Sequence, residues 1–266
     1  MGYQILNDKI VLNKNKNIGK VLYIVEGETR EINILAKIFM NILKYDEVIS
    51  LNRKGRRKYR KFSKKDNRNS QIVIINSKTS NINSISNKEF VESQLNLLKE
   101  YGLDYEYRNS AIYYIFDADR KEDNKNILEL IEKYNNSRES NQENNFDAIA
   151  GMLLLSYPSV ESFIISNFEK DMYKFNERFD FSTQKLKEYI NKKKYSDSKL
   201  SEKTIEKSFL EMVKSLKKID INKVNLDNVT EFSKRIFDFE KLNKNQYMLS
   251  LILISFIDLG IIEILE

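Results

Sequence analysis

The chain contains no cysteine and no histidine among its 266 residues. Without cysteine it can form no disulfide, no thiolate nucleophile and no cysteine-bound zinc site. Without histidine it lacks the usual general base near neutral pH and the commonest metal-binding side chain. Any catalysis must therefore use carboxylates, lysines or hydroxyls. Because carboxylate oxygens are hard ligands, a metal site in this chain is expected to hold Mg²⁺ or Mn²⁺.

Long uninterrupted apolar stretches are also scarce. The run from 248 to 265 approaches the length of a membrane span, but Asp258, Gly260 and Glu263 interrupt it, and charged residues are costly inside a bilayer. It is expected to form a buried helix or an oligomer contact, such as that of a homodimer, and no membrane is expected as a partner. Residues 1 to 17 have no apolar core of signal-peptide length, so the expected location is the cytoplasm.

Two short apolar segments that end in acidic residues are the most informative feature of the sequence. The first, residues 20–25, has the length and β-branched content of a strand buried on both faces, and Glu26 and Gly27 follow it. Gly27 permits a sharp turn. Residues 31–43 then carry apolar side chains at helical spacing, so the local prediction is a strand, a tight turn and a helix.

The second segment, residues 111–116, is another predicted strand, and Asp117 and Asp119 follow it two positions apart. Residues two apart on an extended chain point to the same side. In open α/β sheets, ligands bind beyond the carboxyl ends of the strands, where Glu26 and both aspartates would converge if the two strands are parallel neighbours. Each acid could instead be a turn residue or a helix cap, but the joint pattern favours a magnesium site.

A third apolar stretch, residues 148–157, leads into Pro158, the only proline of the chain. Proline is well placed in the first turn of a helix, which is predicted to run from about 159 to 168. Glu161 lies one turn into that helix. It is either an acid that complements the helix dipole, worth a few tenths to about 1 kcal/mol, or a further acid of the same site.

These motifs resemble those of the Toprim domain, in which Glu-Gly follows the first strand and Asp-x-Asp follows a later one. Glu26-Gly27 and Asp117-Ala118-Asp119 carry the resemblance. The segment from 157 to 163, a proline and then a glutamate that leads an apolar helix, is similar to the third motif of nucleases in bacterial anti-phage proteins, the OLD-like, RloB-like and AriB-like proteins. The similarity covers roughly residues 19–168.

The resemblance implies an α/β fold. Residues 1–168 are expected to form a Toprim-like Rossmannoid catalytic domain with a mainly parallel central sheet, and residues 169–266 a helical region. The pattern from 183 onward is helical throughout. Elsewhere the sequence predicts a strand over 71–76 and helices over 88–100 and 123–134.

The resemblance also implies an activity, that of an Mg²⁺- or Mn²⁺-dependent nuclease that cleaves phosphodiester bonds. The residues expected to be catalytic are Glu26, Asp117, Asp119 and Glu161, of which the first three would bind the metal. The implied biological role is a toxic effector of anti-phage defence, acting on tRNA or other RNA, or on DNA, and controlled by a partner such as an ATPase.

Alternatives stay open at this point. Small Toprim nucleases also mature ribosomal RNA, which is the same chemistry in another role. A non-catalytic nucleic-acid-binding module, whose acids only shape the fold, is a different class of protein. Glu31 is the acid that would close the first motif, but Arg30 displaces it from its place in some relatives, so its role is open as well.

A dense basic segment lies between the two acidic motifs, in a stretch longer than in compact Toprim domains, so that an insertion is expected at about 53–109. The chain carries a net charge of +6, and a cluster of this density can neutralise backbone phosphates. Alternatively it is a solvated loop, packed on the body through Tyr59 and Phe62. The residues expected to bind nucleic acid are Arg53, Lys54, Arg56, Arg57, Lys58, Arg60 and Lys61.

Overall fold

The computed structural model describes residues 3–27, 29–53, 56–67, 69–77, 88–100, 102–105, 110–118, 131, 151–177, 183–226, 229–243 and 248–265. The strands are β1 (Tyr3–Ile5), β2 (Ile10–Leu12), β3 (Lys20–Val25), β4 (Asp46–Arg53), β5 (Arg56–Ser63), β6 (Gln71–Asn76), β7 (Ser110–Asp117), β8 (Met152–Tyr157), β9 (Lys223–Asn225), β10 (Leu249–Ser250) and β11 (Ile262–Ile264). The α-helices are α1 (Arg30–Lys37), α2 (Lys88–Glu100), α3 (Glu161–Phe168), α4 (Thr183–Lys193), α5 (Glu202–Lys218), α6 (Thr230–Asn243) and α7 (Ile252–Asp258).

The fold is α/β around a mixed sheet that has, in the described part of the chain, seven strands in the order β10-β8-β7-β3-β6-β5-β4. The four strands at its centre are parallel, since β3 pairs in parallel with both β6 and β7, and β7 with β8. The predicted strands at 20–25, 71–76 and 111–116 are confirmed, and so is the expectation that the first and third are parallel neighbours.

The central strands are apolar because both of their faces are covered. On β3, all residues from Val21 to Val25 are fully buried, and on β8 every residue from Met152 to Tyr157 is buried. Phe39 packs on one face of the sheet, with ring-centroid distances of 5.7 Å to Tyr23, 6.4 Å to Phe62 and 5.8 Å to Phe256. Phe39 belongs to a π-helical continuation of α1, so the predicted helix over 31–43 has a change of winding within it.

The last hundred residues differ from the wholly helical pattern expected of them. Helices α4 to α7 are present, but β10 extends the central sheet beside β8, β9 pairs with β1, and β11 pairs with β2. The run from 248 to 265 therefore forms a strand, a short buried helix and a second strand. In the described part of the chain, no helix is both long and apolar enough to cross a membrane.

The basic segment is a β-hairpin at one edge of the sheet. Strand β5 is antiparallel to β6 on one side and to β4 on the other. Tyr59 and Phe62 are 1% and 0% exposed, so the expectation that they pack this segment on the body is confirmed. The predicted helix over 88–100 is confirmed as α2, whereas the one over 123–134 lies, apart from residue 131, outside the described residues.

Candidate functional site

Glu26 lies directly after β3, at the carboxyl end of the parallel strands. Its backbone N–H donates to the carbonyl of Ile115 at 3.1 Å, which continues the pairing with β7 by one residue. Its carboxylate Oε2 accepts a hydrogen bond of 2.8 Å from the backbone N–H of Asp117. The Asn76 side chain donates to the Glu26 carbonyl at 2.9 Å. The side chain and backbone of Glu26 are thus tied to both neighbouring strands.

Asp117 is the last residue of β7 and faces the start of α3. Its Oδ1 accepts a hydrogen bond of 2.8 Å from the backbone N–H of Val160, the residue before the helix. Each of these contacts directs a backbone N–H at a carboxylate oxygen, which favours the ionised acid. The carboxyl ends of β3 and β7 and the beginning of α3 therefore meet at one place, as the strand-end motifs predict.

Glu161 is the first residue of α3 and is 1% exposed. Its Oε2 accepts a hydrogen bond of 2.8 Å from the Ser159 hydroxyl. Its Oε1 lies 3.5 Å from Nη1 of Arg30, an ion pair without a hydrogen bond, and this buried oxygen has no hydrogen-bond donor in the structure. A buried carboxylate oxygen left in this state is costly, since such groups are normally hydrogen-bonded.

Glu31, whose role the sequence left open, is buried beside these acids, with 6% of its surface exposed. Its carboxylate packs against Gly27, where an added Cβ would lie 1.9 Å from Glu31 Oε2. Gly27 has no positive φ. The lack of a side chain at Gly27 therefore leaves the space that the Glu31 carboxylate occupies, and no unusual backbone conformation calls for glycine here.

Burial and then like charge determine the electrostatics of the cluster. Burial raises the pKa of Asp117 well above its usual range, and the charges of Glu31, Glu26 and Glu161 raise it further, against the opposing hydrogen bond from Val160. The pKa of Glu31 is also raised, chiefly by burial and then by the charge of Glu161. Arg30 and the hydrogen bond with the Gly27 backbone lower the pKa of Glu31 but do not cancel the rise.

The donor chemistry of this cluster fits a hard divalent cation, because its side chains offer carboxylate oxygens and one of them is buried without a donor. No group of three or more His, Cys, Asp or Glu side chains is arranged to hold a metal ion within the described ranges. Asp119, the second acid of the Asp-x-Asp motif, lies outside those ranges. Glu26 and Asp117 are the described acids at the strand ends, and the Asp117 backbone N–H donates to the Glu26 carboxylate.

The structure places the basic residues in different settings. Arg60 is buried: its Nε and Nη2 bind the two carboxylate oxygens of Glu47 at 2.5 and 2.8 Å. It stabilises the hairpin and is not directed at solvent, which runs against its expected contact with nucleic acid. Lys61 is half-buried, and burial followed by the charge of Lys20 lowers its pKa. Arg53, Arg56, Arg57 and Lys58 lie on β4 and β5, and Lys54 lies outside the described residues.

The sequence did not single out three contributors to the site. The sequence pattern identifies Arg30 only as the residue that displaces an acid, and Ser159 only as the beginning of a helix. Val160 contributes its backbone N–H, which a pattern of side chains cannot reveal. Their roles depend on the way α3 begins against β7. The position of Ser159 two residues before Glu161 was the one signal present in the sequence.

Comparison with known protein families, with characterised proteins and with solved structures finds no match to this chain. Its function is therefore inferred from the geometry of the site and from the motifs.

Proposed function

We propose that the protein is a divalent-metal-dependent nuclease of Toprim type, in which the acids at the carboxyl ends of β3 and β7 form the catalytic centre. The observation that carries the proposal is the convergence of Glu26, Glu31, Asp117 and Glu161 at the carboxyl ends of the parallel strands, where burial and then the charges of the other three acids raise the pKa of Asp117. Perturbed carboxylates that cluster in this way are typical of functional sites.

The charge balance of the cluster supports a cation as its natural occupant. The charges of Glu26, Glu31 and Glu161 each act on Asp117. Arg30 lies within ion-pair distance of Glu161. Carboxylates that face each other in a partly buried site can all be ionised only at a cost in stability. Carboxylate oxygens are the ligands that Mg²⁺ and Mn²⁺ prefer, so such an ion would relieve the repulsion that the fold leaves in place.

In this proposal Glu26 and Asp117 hold the ion, and Asp119 joins them by virtue of the resemblance. A Mg²⁺ or Mn²⁺ ion held there would supply Lewis-acid activation of a water and would offset negative charge that develops at the phosphate. The backbone N–H groups of Asp117 and Val160 fix the carboxylates that they contact, which limits reorganisation during the reaction. Since the chain has no histidine, the proton of the attacking water passes to a carboxylate, for which Glu26 is the candidate.

The resemblance extends the proposal to biology. The chain would be a toxic effector of anti-phage defence, cutting RNA or DNA and restrained by a partner such as an ATPase. Growth arrest on expression of the wild-type chain, relieved by substitution of Glu26, is the result expected of such an effector. Normal growth on expression would favour a housekeeping role such as ribosomal-RNA maturation.

The decisive experiment compares purified wild-type protein with the Glu26→Gln variant. Glutamine keeps an oxygen that can accept the Asp117 N–H bond but removes the charge. Both proteins are incubated with labelled tRNA and with plasmid DNA, in Mg²⁺, in Mn²⁺ and in EDTA. We expect cleavage that requires the metal and is lost in Glu26→Gln.

The matched control is Glu92→Gln, which removes one negative charge from an exposed position on α2. It should cleave like wild type. Cleavage by Glu26→Gln at the wild-type rate would exclude this centre. Binding of nucleic acid by wild type without cleavage in any metal, with or without Glu26, would support a non-catalytic binding module instead.

A further inference from the structure

Arg30 is the first residue of α1 and lies beside the acids with hydrogen-bonding capacity to spare. Its Nη1 is 3.5 Å from Glu161 Oε1, and its side chain makes no hydrogen bond to any residue that the structure describes. A guanidinium carries five N–H donors in a planar fork. These donors are therefore available to another partner at the acid cluster.

The setting of Arg30 does not suit a purely structural role. A cation at the first residue of a helix opposes the helix dipole, which favours acids at that end. In the Glu47–Arg60 pair, the arginine side chain is 7% exposed and donates two hydrogen bonds to the carboxylate. The Arg30 side chain is 38% exposed and donates none to Glu161. An arginine that only stabilised the fold would be expected to form the complete pair.

Arg30 is electrostatically coupled to the centre of the acid cluster. It lies beside Glu161, and its charge also acts on Glu31. The charges of both glutamates act in turn on Asp117. In the proposed nuclease, a substrate phosphate must approach these acids, which repel it. A partly exposed guanidinium beside them offsets the repulsion and can donate two parallel N–H bonds to phosphate oxygens.

We propose that Arg30 is a catalytic residue that binds the phosphate at the bond to be cleaved, through N–H groups not directed at Glu161. This rests on the proposed function and adds to it a side chain that contacts the substrate. Glu161 keeps its place beside Nη1 and holds the guanidinium toward the acids, so in this arrangement it is a positioning residue. The incomplete pair then has a reason, since the unused donors of Arg30 belong to the phosphate.

The role of Arg30 in the reaction is to stabilise charge. In phosphodiester hydrolysis the water oxygen forms a bond to phosphorus, the bond to the leaving oxygen breaks, and negative charge develops on the phosphate oxygens. The water gives its proton to a carboxylate, and the leaving oxygen takes one from solvent. Arg30 donates hydrogen bonds to the charged oxygens and transfers no proton, because guanidinium groups stay protonated in proteins.

The test uses nucleoside 5′- and 3′-monophosphates as probes, because each carries a phosphate but no phosphodiester bond that could be cleaved. Their binding to the full chain in Mg²⁺ is measured by calorimetry, with the unphosphorylated nucleoside as reference. The variants are Arg30→Met, which removes the charge, and Arg30→Lys, which keeps the charge without the fork. The matched control is Lys37→Met, which removes one positive charge from the last residue of the same helix, about 10 Å away.

We expect wild type to bind at least one of the monophosphates, and Arg30→Met to bind it at least about tenfold more weakly. Arg30→Lys should lie between the two, and Lys37→Met should bind like wild type. In single-turnover cleavage of an oligonucleotide, Arg30→Met should be slower by about a hundredfold, the effect of losing one preorganised donor to a developing charge. Lys37→Met should cleave at the wild-type rate.

A second background separates contact with phosphate from neutralisation of Glu161. Loss of Arg30 leaves that buried carboxylate without its cation, which lowers stability. The substitution is therefore repeated in Glu161→Gln, where no charge is left to neutralise. The loss of monophosphate affinity caused by Arg30→Met should persist there, by at least about threefold. If Arg30 acted only by neutralising Glu161, the loss would disappear.

Equal affinity of wild type and Arg30→Met for both monophosphates, including no binding by either protein, would overturn the inference, and so would a loss that disappears in Glu161→Gln. If wild type cleaves nucleic acid and Arg30→Met cleaves it within about tenfold of that rate, the nuclease assignment stands without Arg30. Binding of a monophosphate that requires Arg30, with no cleavage by wild type, would have the opposite meaning: the phosphate site would stand while the proposed nuclease would not.

Discussion

Two carboxylate–arginine pairs in this protein differ in how completely they are formed. Glu47 and Arg60 are joined by two hydrogen bonds of 2.5 and 2.8 Å, with one oxygen for each nitrogen. Glu161 and Arg30 approach only to 3.5 Å, and the glutamate oxygen that faces the arginine has no hydrogen-bond donor, although Glu161 is almost fully buried. The first pair is matched in charge and geometry, and the second is not.

In the proposed function, the difference separates a structural pair from a functional one. Glu47 accepts two hydrogen bonds from the guanidinium of Arg60, a geometry that offsets desolvation well. Around Glu161, Arg30 faces a cluster that also contains Glu31, Asp117 and Glu26. An excess of buried like charge destabilises a fold, so its presence here is most simply explained by a ligand of opposite charge.

The largest effect that the comparison predicts is on catalysis. Asp117→Asn keeps the oxygen that accepts the Val160 N–H bond but removes the charge at the centre of the cluster. We expect cleavage to fall by about a thousandfold, which corresponds to about 4 kcal/mol of transition-state stabilisation. Single-turnover rates with saturating nucleic acid measure this directly. A rate within tenfold of wild type would place the chemistry elsewhere.

The next largest effect concerns the complete pair. Arg60→Met removes the two hydrogen bonds that Arg60 donates to the Glu47 carboxylate, so we expect a loss of about 3 kcal/mol in the free energy of unfolding. Denaturant unfolding followed by circular dichroism measures it. The control is Lys65→Met, two residues after β5, which breaks an exposed ion pair with Asp46 at 3.8 Å and should cost less than about 0.5 kcal/mol. An equal loss of stability in Arg60→Met and Lys65→Met would show that the Glu47–Arg60 pair contributes no more than an exposed ion pair.

The acid site could be predicted from sequence to a larger extent than the hairpin. Buried parallel strands such as β3 and β7 are short, nearly continuous apolar runs, which the sequence shows directly. Acids at the carboxyl ends of such strands lie close together wherever the strands are neighbours. The β5 strand has no apolar alternation, because most of its residues are charged. The partner of Arg60 lies 13 residues away on another strand. Neither the strand nor the pairing leaves a periodic signal.

The strands near the chain ends escaped prediction for a related reason. β9, β10 and β11 have two or three residues each, and β9 and β11 pair with β1 and β2 from the other end of the sequence. Segments that short are defined by tertiary contact, and the apolar composition of 248–265 suits a buried helix as well as a strand. The ion-pair partner of Glu161 was hidden likewise, because α1 and α3 are far apart in sequence.

A smaller effect is expected on the pH dependence of stability. The raised pKa of Asp117, caused chiefly by burial, means that the native state binds more protons than the unfolded chain between the two pKa values. Stability is therefore lost as pH rises through that window. In EDTA, Asp117→Asn should be more stable than wild type near pH 7, by about 1 kcal/mol. The advantage should shrink as pH falls toward about 4, near the unfolded pKa.

Melting temperatures of both proteins across this pH range check the sign of the effect. Addition of Mg²⁺ provides a second comparison, because an ion that binds the native state raises its stability by mass action. Wild type should gain more than Asp117→Asn. A wild-type melting temperature that does not respond to Mg²⁺ or Mn²⁺ at any concentration would speak against a metal at these acids, whatever the variant does.

The smallest effect on stability is expected at Gly27, where it tests whether the position of one carboxylate matters. In Gly27→Ala the new Cβ would meet Glu31 Oε2 at 1.9 Å, so the flexible end of Glu31 must move. Because alanine also restricts the unfolded chain, the net change in stability should stay within about 1 kcal/mol. Affinity for Mg²⁺, measured by calorimetry, should nevertheless fall severalfold. In a Glu31→Ala background the same substitution has no carboxylate to displace, so its effect on metal affinity should vanish. If it persists there, the substitution acts through the turn after β3, and the close contact between Gly27 and Glu31 is incidental to the site.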